Sequence, residues 1–215
     1  WLAAELIQLK WDIKALQRLI VTSATYRQSS QPSRAALQID PENRLLSHSP
    51  RLRPSGEVIR DQALFVSGLL VERIGGPSVK PYQPANLWNE IAGPTTSAYA
   101  KGYQQDTGDA LYRRSLYTFW RRAIPPPGLQ IFDGPSREVC ISRRERTNTP
   151  LQALALLNDT IFIEAARGLG TRMIRDGGEN NTARIRHGFQ LVTGRHPSPE
   201  ELTILLRSLE IHQRT

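Results

Sequence analysis

The sequence predicts an all-α protein: an irregular helical domain of about five to seven helices, with long ordered loops and a C-terminal αα-hairpin. Three observations predict it. Apolar residues recur at helical spacing through several long segments. Two capping boxes, Thr149-Pro150-Leu151-Gln152 and Ser198-Pro199-Glu200-Glu201, mark helix starts with proline at the first helical position. Gly- and Pro-rich stretches separate the periodic segments, and strand character is confined to one short run. The expected organisation is a single mainly α-helical domain over 1–215, with residues 179–215 as the terminal hairpin.

Residues 1–20 place Leu2, Leu6, Leu9, Ile13, Leu16 and Ile20 on one helical face, flanked by Trp1 and Trp11. Ser and Pro dissolve this helix after Val21, and residues 31–54 read as irregular. The second helix starts at the N-cap Ser55, carries Glu57 and Asp61 at its positive end, and is expected to run to Gly75-Gly76. Residues 76–109 are rich in Pro, Gly, Tyr and Asn. A loop of that length either wraps the surface on anchors such as Tyr82, Leu87, Trp88 and Ile91 or forms a binding edge. "ALYRRSLYTFWRRA" reads as helix, although alternation also fits, and Val139–Ser142 reads as a short strand. The Thr149 capping box opens a helix whose inward face is expected to be Leu151, Leu154 and Leu157. Asn158-Asp159 interrupt it, and a further helix over about 160–175 runs through Ile161, Ala165, Leu169 and Met173. The terminal hairpin pairs a helix over about 182–193, stopped by Gly194, with one capped at Ser198.

Composition excludes several function classes. No apolar run approaches the ~20 residues that span a bilayer. Cys140 is the only cysteine, so neither an internal disulfide nor a Cys-based metal site can form, and the Cys-x-x-Cys-His haem attachment motif is absent. His48, His187, His196 and His212 have no metal-ligand spacing, so no metal ligand is assigned. No nucleophile elbow, phosphate-binding glycine loop or zinc-protease motif is present, and no catalytic residue is assigned.

The net charge is +8, and 24 of the 28 basic residues are arginine. Arginine's planar fork suits bidentate contact with carboxylate, phosphate or sulfate. Eight arginines lie between Arg113 and Arg146 against three acids, which concentrates +5 of the charge there. The predicted helix start at Thr149 adds free backbone N–H groups beside them. Arg143, Arg144, Arg146, Asn148 and Thr149 are therefore the candidate anion-binding residues; the alternative is that the arginines pair with the protein's own carboxylates. Tyr82 and Trp88 are candidates for stacking on a ligand, or else plug their loop onto the core. Cys140, among Arg137, Arg143 and Arg144, is a candidate reactive thiol, or else an inert cysteine.

Five stretches, "LIVTSATYRQSS", "IGGPSVKPYQP", "YRRSLYTFWRRAIPPP", "FDGPSREVC" and "RRERTNTPLQALALLND", occur in an order that resembles the planctomycete "PSD one" family, a domain of unknown function numbered fifteen fifty-three. The resemblance covers almost the whole chain and implies that it corresponds to the C-terminal part of the family's domain. It departs at Gln17, where the family pattern carries histidine, and at Thr160, where it carries proline. The resemblance implies an exported, periplasmic or cell-surface protein associated with cytochrome c. Haem c is then expected only in upstream domains, with no cofactor in this stretch. The expected partners are those upstream domains and, at the arginines, anionic polysaccharide. Nucleic acid is not expected, because no helix-turn-helix or RNA-binding aromatic motif accompanies the charge. The function expected is a non-catalytic docking or binding module. The alternative is part of an oxidative or hydrolytic polysaccharide-processing enzyme, with an arginine-rich site for sulfated or uronic glycan.

Overall fold

The computed structural model describes residues 1–92, 102–121 and 124–214. The architecture is mainly α, as the sequence predicts, and no sheet forms among the described residues. The chain divides into two compact units, Trp1–Arg53 and Pro54–Thr215.

In the first unit the single helix expected over residues 1–20 is two: α1 (Leu2–Gln8) and α2 (Ile13–Thr22). Lys10 and Trp11 adopt left-handed φ values of 52° and 65° between them. The break has a local cause. Asp12 takes the N-cap position and accepts a hydrogen bond from the Ala15 N–H at 3.0 Å. A further short helix, α3 (Arg34–Ile39), forms where irregular chain is expected, because Ser33 caps it through the Ala36 N–H. Beyond α3, buried Asp40 accepts the Arg44 and Leu45 N–H groups and knits the following loop. No hydrophobic side chain of residues 1–53 is buried.

The second unit is built on α4 (Gly56–Ser67). It stops eight residues short of Gly75, because Gly68 takes a left-handed C-cap with φ 79° and closes the helix onto Leu64 and Phe65 carbonyls. The next helices are α5 (Leu87–Ala92), α6 (Pro127–Ile131), α7 (Pro150–Asn158) and α8 (Thr160–Asp176). The hairpin-like tail is α9 (Asn181–Thr193), stopped by left-handed Gly194, and α10 (Pro199–Gln213), which carries the second capping box. α4 packs along α8, α8 also packs on α7 and α9, and α9 packs on α10. Gly56 lets α4 approach α6, since a Cβ there would sit 2.9 Å from Phe132 Cβ. The core comprises Leu64, Val66, Val79, Trp88, Leu111, Ile124, Leu129, Phe132, Ile161, Ala165 and Ile185.

Three expectations fail here. The segment expected as helix around Leu111–Trp120 is two 3-10 turns, Gly108–Tyr112 and Ser115–Tyr117, joined by bridges from Val71 to Arg113 and from Val79 to Thr118. Its burial alternates: Leu111, Arg113 and Ser115 are buried while Arg114 and Leu116 are exposed. The period of two wins because the 71–79 segment supplies backbone partners that a helix would have satisfied internally. Val139–Ser142 is not a strand; Val139 and Ile141 are exposed and no ladder partner meets them among the described residues. Finally, the inward face of α7 is not its leucines. Leu151, Leu154 and Leu157 are 55%, 56% and 75% exposed, and Gln152 is fully buried in their place.

Candidate functional site

Buried Gln152 explains how the arginine loop is held. It fulfils the capping box, exchanging hydrogen bonds with Thr149 at 3.3 Å in both directions. Its amide also donates to the Ile131 carbonyl at 2.9 Å and to Thr147 Oγ1 at 3.0 Å. Asp133, at a left-handed φ of 60°, accepts the Thr147 N–H and hydroxyl at 2.7 and 2.8 Å. The N–H groups of Thr147, Thr149 and Gln152 are thus directed to the protein's own side chains. Asn148 is exposed between them.

The arginines of the 113–146 stretch do not share one partner among the described residues. Arg144 places Nη1 at 2.9 Å from both Glu57 carboxylate oxygens. Burial pushes the Glu57 pKa up, but its hydrogen bonds with the backbone, Ser55 and Arg144 outweigh this and hold it below the usual carboxylate range. Arg143 and Arg146 are exposed, with no ion pair among the described residues. Arg137 lies 4.2 Å from the centre of the Trp120 ring, and Arg114 lies 3.9 Å from Asp61. Arg122 lies outside the described residues. Arg113 is fully buried, stacks 3.8 Å over the Tyr117 ring, and donates to the carbonyls of Arg73, Gly75 and Pro77. It is a clamp on the 73–77 segment.

The aromatic candidates separate. Trp88 is 5% exposed, its indole N–H donates to Gln83 at 2.7 Å, and its ring sits near Tyr103 and Phe119. That is the geometry of a loop anchor. The side chain of Ile91, another expected anchor, lies outside the described residues. Tyr82 is partly exposed, and its hydroxyl donates to Glu164 at 2.8 Å; Tyr112 donates to the other Glu164 oxygen at 3.2 Å. Burial, then these hydrogen bonds, push the Tyr82 phenol well above its ordinary pKa. Cys140 is exposed.

Tyr82 is also on the wall of a 410 Å³ cleft that lies within the second unit. Most of its lining escapes a sequence reading. α4 contributes Arg60, α6 contributes Gly128 and Leu129, and the α7–α8 junction contributes Asn158, Asp159 and Thr160. Arg60 is 8% exposed and donates to the Arg113 and Leu111 carbonyls at 2.8 and 2.7 Å and to Ser115 Oγ at 3.2 Å. Burial pulls its pKa down, while Asp61 and Asp159 oppose that fall. Asp159 is legible in sequence only as a cap; it ends α7 and caps α8 through the Ile161 N–H. Arg60 and Asp159 are 99 positions apart in the chain, and no motif joins them. Among the described residues no group of His, Cys, Asp and Glu could hold a metal ion, and no helix is long and apolar enough to cross a membrane.

The model of one protein family, PSD1, described as a protein of unknown function (DUF1553), matches residues 1–209. No curated protein and no solved structure matches the chain.

Proposed function

The chain belongs to the PSD1 family, and from that membership we propose that it is a non-catalytic docking module, covered in its parent protein by another domain along α7. One observation carries this reading. α7 is apolar on nearly all sides, yet turns Leu151, Leu154 and Leu157 to solvent while burying a glutamine. A helix that is hydrophobic all round is ordinarily covered, and a contiguous apolar surface marks an interaction site. The exposed Ile7, Trp11 and Ile13 of the first unit add further uncovered apolar surface. The family resemblance supplies the partner proposed: an upstream, cytochrome-associated domain of an exported protein.

The test is binding in trans between this chain and the other domains of its parent polypeptide. Leu154→Glu is expected to weaken that binding about tenfold or more, with the unfolding midpoint unchanged. Equal binding by wild type and variant would refute the reading, as would self-association through the same face.

A second reading rests on Arg143 and Arg146, whose exposed guanidinium groups are open to sulfated or uronic glycan. It requires binding to heparin that weakens steeply with salt and is lost in the Arg143→Gln/Arg146→Gln variant.

A further inference from the structure

We propose that the cleft walled by Tyr82, Thr118, Phe132 and Asp159 binds a neutral, polyhydroxylated ring: one sugar residue. At 410 Å³ it falls in the range of small-molecule sites, which are apolar-walled with a few placed polar groups. The site shares no residue with the α7 leucines and stands independently of the docking reading.

The apolar wall is rigid. Phe132 and Phe162 meet edge to face at 6.0 Å and 76°, and Pro81, Pro84, Pro126 and Pro127 add stiff backbone to the lining. The hydrogen bond from Tyr82 to Glu164 restrains the tyrosine ring, an aromatic surface in the cleft lining. Such a face, with its negative quadrupole, suits the weakly positive C–H groups of a sugar ring.

The polar groups select against negative charge. Arg60 and Asp159 are the charged residues among the described lining, one of each sign, and Arg60 also pairs with Asp61 at 3.7 Å. Both Nη atoms of Arg60 donate to protein acceptors, so the guanidinium is a poor anion ligand. Negative charge brought here would lose hydration without a partner. What the cleft leaves open is neutral hydrogen-bonding capacity. Asp159 Oδ1 accepts the Ile161 N–H, while Oδ2 lies over the cleft-lining Gly128 and accepts from no described residue. The Thr118 hydroxyl is buried and meets no hydrogen-bond partner among the described residues. Buried polar atoms are nearly always paired, so this one marks a place where a ligand group completes the set. Gln105 adds an amide with no described partner, and Gln83, whose Oε1 is taken by Trp88, keeps its NH₂. A carboxylate oxygen, a hydroxyl and amides around a flat ring match the alternating donors and acceptors of adjacent sugar hydroxyls.

The experiment is saturation-transfer NMR on the whole chain, with methyl glycosides of neutral hexoses and pentoses as probes and glucuronate and N-acetylglucosamine-6-sulfate as charged competitors. A neutral glycoside is expected to receive saturation and to be displaced poorly by the charged sugars. Asp159→Asn keeps the cap acceptor but replaces the free oxygen, and is expected to weaken binding about tenfold. Gln105→Ala, on the exposed rim, is expected to weaken it several-fold with the fold intact. Leu151→Ser should leave binding unchanged. Absence of transfer to every neutral probe would overturn the proposal. So would preference for the charged sugars, or equal binding by wild type, Asp159→Asn and Gln105→Ala.

Discussion

Gln152 and Arg113 are polar side chains in places where apolar ones would be expected, and each holds separate segments together. Gln152 ties α7 to Ile131, Thr147 and Thr149. Gln152→Leu is hydrophobic and similar in size, yet is expected to cost about 2 kcal/mol, because its partners are left unpaired. Urea denaturation decides; an unchanged midpoint would show that the network adds nothing. Arg113→Met removes the donors to three carbonyls and is expected to cost about 3 kcal/mol or more, read by the same measurement. Neither role was legible. The capping pattern identified Gln152 correctly as an N3 residue, but its second set of bonds goes to Ile131 and Thr147, and only folding brings those alongside. In the sequence Arg113 is one member of a charge cluster, whereas its partners are backbone carbonyls 36 to 40 positions away.

Among the helices, structure follows sequence where a side chain acts on its own neighbours. The Thr149 and Ser198 capping boxes, the Asp159 interruption and the Gly194 stop all occur as the residues imply. Glu201 shows what such a cap does. Its hydrogen bonds with Arg195 and the Ser198 N–H lower its pKa from 4.5 to about 2. A carboxyl with a depressed folded-state pKa stabilises above its unfolded value and loses that contribution as pH falls through the folded one. Stability from this cap is therefore expected in full above about pH 4.5 and to disappear towards pH 2. Glu201→Gln should flatten the wild-type stability profile in that window, and parallel profiles would count against it. α4 illustrates the opposite case. Its apolar pattern continues past Ser67, but Gly68 turns left-handed and ends it. Gly68→Ala is expected to cost about 1 kcal/mol, because alanine resists that φ; an unchanged midpoint in thermal unfolding would contradict this.

Across the whole molecule, buried apolar side chains belong to residues 54–215, and none belongs to residues 1–53. Stability follows buried apolar area. Residues 54–215 expressed alone are thus expected to unfold within a few degrees of the full chain, and limited proteolysis should cut within residues 1–53 first. A large fall in the midpoint on removing 1–53 would show that the first unit contributes more than its burial indicates. The sequence by itself determined that the protein is mainly α, where the helices capped at Thr149, Asp159 and Ser198 begin, and to which family it belongs. These rest on interactions within a few residues, or on order along the chain. Tertiary structure alone decided which faces turn inward, where the arginines find partners, and that Arg60, Thr118 and Asp159 line one cleft. Those outcomes depend on segments far apart in sequence competing for the same buried space. A leucine face and a glutamine face compete on equal terms until the carbonyls and hydroxyls of another segment arrive to satisfy the glutamine.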